Sequence, residues 1–134
     1  MMPRYMLDTN ICIYLMKHQP EAVAKRFAQC MVGDVVMSAI TFAELFYGVS
    51  VAANPDRERH HLAALVEDIP VLPFDGAAAK AYGPVREASR ERRKDQLDKL
   101  IASHAVSLDV TLITNNERDF TLYPGLRVEN WLNG

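Results

Sequence analysis

The chain reads as an α/β protein: a three-layer α/β/α domain around a central, mostly parallel sheet. Three observations predict this. Short apolar runs at 4–8, 35–38 and 110–113 read as strands, and 35–38 is apolar on both faces, as buried parallel strands tend to be. Between them lie longer segments whose apolar residues recur with a period near 3.6. That alternation puts helices on both faces of a sheet, with right-handed crossovers. Finally, the first strand delivers Asp8-Thr9-Asn10 to its carboxyl end, where α/β proteins form their sites.

In chain order, residues 4–8 form the first strand. Ile11, Tyr14, Leu15 and His18 then mark a helix that Asp8, Thr9 or Asn10 can cap. Pro20 suits the first turn of a second helix, which carries Val23, Ala24, Phe27, Cys30 and Met31 on one side. Gly33-Asp34 turns the chain into the strand 35–38. A third helix begins at Thr41, with Phe42, Leu45, Phe46 and Val49 as its apolar face. After Asn54-Pro55 a fourth follows with Leu62, Leu65, Val66 and Ile69. Prolines flank 70–74, which predicts a strand at the sheet edge. Asp75-Gly76 opens a long helix that Gly83-Pro84 should kink or restart. Leu97, Leu100, Ile101, His104, Ala105 and Leu108 define an amphipathic helix, and 110–113 is a strand. Residues 114–120 form a polar loop or single helical turn, 126–128 a last strand, and Trp131 covers a core edge.

A chain of 134 residues suits one domain, here 1–134, with a real core. A net charge of -2 does not announce nucleic acid, yet binding needs only a local basic patch. Two cysteines, Cys12 and Cys30, make no disulfide framework and point to a reducing compartment. There is no secretory leader pattern and no apolar run approaching a membrane span, so the expected location is the cytoplasm. A glycine-rich phosphate loop and a dinucleotide fingerprint are both absent.

Four acids stand at the edges of apolar elements: Asp8, Glu44, Asp98 and Asp119. Each has an ordinary explanation. Asp8 can cap a helix. Thr41-x-x-Glu44 has the spacing of a capping box. Asp98 borders an apolar helical face, and Asp95 is the more natural cap there. Asp119 can be a turn aspartate, with Thr114, Asn115 and Asn116 as polar turn residues. Together they suggest more, because carboxylates brought together repel unless a cation lies between them. Magnesium or manganese suits oxygen ligands, whereas histidine and cysteine are not spaced for zinc. His104, on an apolar face, reads as a packed histidine. Arg86, Arg90, Arg92, Arg93 and Lys94 form either a solvated helix end or a rim for phosphates. Phe42, Phe46 and Tyr47 are either core or an oligomer surface.

The ordered set Met6-Leu7-Asp8-Thr9-Asn10, Ser38-Ala39-Ile40-Thr41-x-x-Glu44-Leu45, Asp98-x-Leu100-Ile101-Ala102-x-His104-Ala105 and Thr114-Asn115-Asn116-x-x-Asp119-Phe120 resembles PIN-domain ribonucleases. More narrowly it resembles VapC-type toxins of toxin–antitoxin pairs, as does the closing stretch from Pro124 to Trp131. The resemblance implies that Asp8, Glu44, Asp98 and Asp119 surround Mg2+ or Mn2+, that Thr114 and Asn115 support them, and that Asp95 lies outside the set. It further implies hydrolysis of structured RNA, tRNA and the initiator anticodon loop included, leaving a 5′-phosphate and a 3′-hydroxyl. A homodimer, a VapB-type antitoxin, and operator DNA bound only through the antitoxin complex belong to the same expectation. One departure is the approach to the third acid, Arg92-Arg93-Lys94-Asp95-Gln96-Leu97, which lacks the family's glycine. Outside the resemblance, a phosphatase or other metal-dependent nuclease of this fold class, a non-catalytic RNA-binding module, and a structural protein whose acids are caps all remain open.

Overall fold

The computed structural model describes residues 2–92 and 94–133. Strands β1 (Tyr5–Leu7), β2 (Val35–Ser38), β3 (Val71–Leu72), β4 (Thr111–Ile113) and β5 (Arg127–Glu129) form one sheet in the order β3-β2-β1-β4-β5. Every pairing is parallel, with Met6 opposite both Val36 and Leu112. The helices are α1 (Thr9–Lys17), α2 (Glu21–Ala28), α3 (Ala39–Ser50), α4 (Pro55–Asp68), α5 (Gly76–Ala88), α6 (Gln96–Leu108) and the single turn α7 (Glu117–Phe120). A 3-10 turn, Trp131–Asn133, follows β5.

Strand alternation sorts the apolar residues into two cores. Tyr5, Leu7, Val35, Met37 and Ile113 face α1 to α4, joined by Ile11, Leu45, Leu62 and Trp131. Met6, Val36 and Leu112 face the other way, onto Val85 of α5, Ile101, Ala102 and Ala105 of α6, and Phe120. This is the three-layer α/β/α arrangement. Met6, Leu7, Leu112 and Ile113 have no exposed surface, and burial of such a side chain stabilises by about 1.5–3 kcal/mol. Among the described residues no helix is long and apolar enough to cross a membrane.

The structure departs from the expected boundaries in three places. The second helix stops at Ala28, because Gln29 and Cys30 bond back to Arg26 and Phe27 in a tightened last turn. The Asp34 carboxylate then accepts from the Met31 amide at 3.0 Å, so Cys30 and Met31 lie outside the helix and Met31 is exposed. The third helix starts at Ala39 rather than Thr41, with Ser38 as its cap. The fifth runs unbroken through Pro84. Gly83, Pro84 and Lys80 all lie on the solvent side, where water can take the carbonyl that proline leaves without a donor. Trp131 is fully buried, its ring edge-on to Tyr5 at 5.4 Å.

Candidate active site

From β1 the chain winds to β2 and β3 on one side, and later to β4 and β5 on the other. The carboxyl ends of β1 and β4 therefore border the point where the winding reverses, the usual ligand crevice of an open parallel sheet. Asp8 stands there, its amide donating to the Ile113 carbonyl at 3.0 Å. Its side chain caps α1 by accepting from the Ile11 amide at 3.0 Å. The Thr114 hydroxyl, at the end of β4, donates to the same carboxylate. Burial pushes the Asp8 carboxyl up; the Thr114 and Ile11 hydrogen bonds oppose this, and the nearby charge of Glu44 adds to it.

Glu44 makes no capping box. Ser38 has taken the cap by accepting from the Ile40 amide at 3.1 Å, so Glu44 lies more than one turn inside α3. The Thr41 hydroxyl is buried without a partner among the described residues. Glu44 instead accepts from the Thr9 hydroxyl at 2.6 Å, which ties α3 to the start of α1.

Asp98 lies in the first turn of α6. Its carboxyl is pushed up to about 6, first by burial and then by the charges of Asp95, Asp8, Glu44 and Asp119. Asp98 of α6 thus lies within electrostatic reach of Asp8 after β1, Glu44 of α3 and Asp119 of α7, and Asp8 lies within reach of Glu44. Asp95 occupies the cap position in left-handed backbone but caps nothing, because its carboxylate accepts from Arg92 at 2.9 Å. Asp119 is held by the Asn116 side-chain amide on one oxygen and by Arg92 at 3.6 Å on the other. Arg92 also donates to the Asp119 carbonyl at 3.0 Å.

The supporting residues divide. Thr114 touches Asp8, whereas Asn115 donates to the Tyr14 hydroxyl at 2.9 Å and so braces α1. Its own amide oxygen is buried without a partner among the described residues. Of the basic residues, Arg92 is bound into the acid cluster. Arg90 pairs with Glu87 at 3.2 Å, Arg86 lies 5.9 Å from the centre of the Tyr82 ring, and Lys94 is exposed. Arg93 lies outside the described residues. His104 is buried against Ser38, its Nδ1 2.8 Å from the hydroxyl, with Phe74 edge-on at 5.5 Å.

Sequence patterns place Thr9 and Asn116 in the motifs without assigning them an acid to hold, and do not mark Tyr123 at all. Thr9 and Asn116 belong to polar triplets in which any member can bond. Tyr123 is buried, and the charges of Arg92, Asp98, Asp95 and Asp119 all reach its hydroxyl, which has no hydrogen-bond partner among the described residues.

The donor chemistry fits a hard divalent cation: carboxylates only, with no lysine or arginine paired to Asp8, Glu44 or Asp98 among the described residues. The side chains do not converge, however. Among the described residues no three histidine, cysteine, aspartate or glutamate groups form a ligand cluster. Asp8, Glu44 and Asp119 each accept from a protein donor, respectively the Ile11 amide, the Thr9 hydroxyl and the Asn116 side-chain amide.

The PIN domain model matches residues 5–126. A tRNA(fMet)-specific endonuclease VapC of Shigella flexneri is 39% identical over 132 residues, covering 97% of this chain and 99% of that protein. A DNA-bound VapBC structure from Salmonella typhimurium matches with a TM-score of 0.89 at 34% identity, covering 97% of this chain and 99% of that one. VapBC2 of Rickettsia felis, bound to a promoter DNA fragment, matches with a TM-score of 0.86 at 31% identity, over 95% and 98%. The chain belongs to the PIN-domain family of nucleases. Within it, the near-full-length agreement with VapC proteins places it among the VapC-type ribonuclease toxins of toxin–antitoxin systems.

Proposed function

We propose that residues 1–134 act as one Mg2+-dependent endoribonuclease domain, with Mn2+ as an alternative, that cuts structured RNA in the cytoplasm. tRNA is the favoured substrate, and the initiator anticodon loop the favoured place within it. The observation that carries the reading is that Asp98 lies within electrostatic reach of Asp8, Glu44 and Asp119, acids from three other elements, with no cation paired to Asp8, Glu44 or Asp98 among the described residues. The Shigella relative, described as specific for tRNA(fMet), supports the choice of RNA.

Asp8 and Asp98 would be the principal ligands of the ion, with Glu44 and Asp119 completing the set. Bound there, the ion supplies positive charge and Lewis acidity toward a phosphodiester. The protein's own groups set the stage. Thr114 and the α1 amides keep Asp8 oriented and favour its charged form. Thr9 holds Glu44 against α1, and Asn116 holds Asp119. Arg86, Arg90, Arg93 and Lys94 would provide a rim for the RNA backbone, while Arg92, expected there too, is committed to Asp95 and Asp119. Water adds to phosphorus and the bond to the 3′ oxygen breaks, leaving a 5′-phosphate and a 3′-hydroxyl.

A VapB-type antitoxin would neutralise the enzyme and carry the pair to operator DNA. The DNA-bound VapBC complexes of Salmonella and Rickettsia support this. A homodimer would use the α3 surface on which Phe46 and Tyr47 are exposed.

The test is cleavage of total cellular RNA by wild type and Asp8→Asn, with magnesium, manganese or chelator, followed by mapping of the ends. Discrete 5′-phosphate ends that require both metal and Asp8 are expected. Because asparagine can still accept from the Ile11 amide, the variant should stay folded. RNA binding without cleavage under any metal would favour a non-catalytic binding module instead.

A further inference from the structure

Lys99 is 2% exposed, one residue past Asp98 on α6. Lysine is almost never fully buried without a partner. Among the described residues Lys99 has no carboxylate within ion-pair distance. Its ammonium donates instead to two backbone carbonyls, those of Ser89 at 3.3 Å and of Arg92. Ser89 is the residue that ends α5, so Lys99 stands at the negative end of that helix. The Arg92 amide also donates to the Ser89 carbonyl, at 2.9 Å, so the turn from Ser89 to Arg92 is closed by its own backbone and by Lys99.

The side chain of Arg92 reaches from that turn to the acids. Its planar fork meets the Asp119 carbonyl at 3.0 Å, an Asp119 carboxylate oxygen at 3.6 Å and Asp95 at 2.9 Å. Asp119 sits on a four-residue helix whose start has no side-chain cap. Asn116 holds one carboxylate oxygen from within the same turn and Phe120 anchors the helix in the core, while Arg92 grips Asp119 from outside by both its backbone carbonyl and its other carboxylate oxygen.

We propose that Lys99 is a positioning residue of this ribonuclease, which pins the Arg92 carbonyl and thereby aims the guanidinium that holds Asp119. The inference rests on the assignment of Asp119 to the acid set. Lys99 touches no substrate; it acts through Arg92.

The experiment measures kcat and KM for RNA cleavage at saturating Mn2+, and the Mn2+ concentration for half-maximal rate. It uses the full chain as wild type, Lys99→Met, Arg92→Gln, the double variant and Asp119→Asn, with circular dichroism on each. Residues that orient a metal-site acid change activity or metal affinity by roughly 10- to 100-fold when lost. A fall in kcat of that order is expected for Lys99→Met with KM for RNA unchanged, together with a higher Mn2+ requirement. Arg92→Gln should lose a similar factor in kcat, and the double variant should be no slower than Arg92→Gln alone. Multiplied losses in the double variant would overturn the inference. So would a Lys99→Met protein that melts earlier but keeps its kcat, since that is a helix cap and nothing more. If Lys99→Met fails to fold, Arg92→Gln still decides: as a partly exposed residue it can be replaced without orphaning a core, and full kcat there sinks the proposal. Full activity of Asp119→Asn would instead remove Asp119 from the site, a different failure.

Discussion

Asp98 is the residue on which the other acids act. Folded, its carboxyl keeps a proton up to about pH 6, well above its ordinary value of 3.8. Between those values the folded chain binds more protons than the unfolded chain, so stability falls as pH rises through the interval. Above about 6 the whole cost is present. Asp98→Asn removes it and should stabilise the chelator-treated protein at pH 7.5 by about 1–2 kcal/mol after solvent screening. The gain should shrink to roughly a fifth at pH 4, where the acid is largely protonated in the folded state and partly so in the unfolded chain. Thermal melts at the two pH values check this, and an equal gain at both would contradict it. The charge of Asp98 would then be a tolerated burden, worth carrying only when a cation is present.

At the scale of elements, α3 and α6 are joined by one hydroxyl. Ser38 accepts from the Ile40 amide to start α3, and the same oxygen meets His104 of α6 at 2.8 Å. Burial lowers the pKa of His104, so the neutral ring is the form that packs there. Ser38→Ala should lose a cap and leave a buried ring nitrogen unpartnered, together about 2–3 kcal/mol. The midpoint of urea denaturation reads this out. Cleavage should fall as well, because α3 carries Glu44. The same hydroxyl explains where local pattern misleads. Thr41-x-x-Glu44 has the right residues for a capping box, but Ser38 is the last residue of a strand held on both sides and already points at the first free amide. Tertiary placement outranks local spacing there, as it does at Pro84 and Asp95. Strand 35–38, by contrast, is legible to the residue, because four apolar or small residues between a glycine turn and a helix admit little else. Asp8, Asp98 and Asp119 are legible one at a time, since each follows a strand or lies in the first turn of a helix, whereas Glu44 sits inside α3 and is legible only through the motif that carries the family resemblance. Spacing alone does not bring the four together, because that depends on β1 lying between β2 and β4; the expectation that they meet comes from the ordered set of motifs and its resemblance to PIN-domain ribonucleases. Lys99 is less legible still: its partners are two carbonyls of a turn, and carbonyls leave no mark in a sequence.

Across the whole molecule, two apolar cores clamp a sheet whose carboxyl edge carries unbalanced negative charge. A cation that binds the folded state alone must stabilise it, by about 2.7 kcal/mol at a hundred times its Kd. Mn2+ should therefore raise the melting temperature of the wild type and leave that of Asp8→Asn nearly unmoved. A wild type indifferent to Mn2+ would argue that its acids are structural. The sheet order has one more consequence, which concerns time. β1 is the first strand to leave the ribosome, yet one of its two neighbours comes from residues 111–113 and the last acid from residue 119. Until then Asp8 has no Thr114 hydroxyl beside it, and Asp119 has not been made. If these acids form the proposed site, the chain gains its activity only when synthesis is nearly complete, and a variant truncated before Thr114 should show no cleavage.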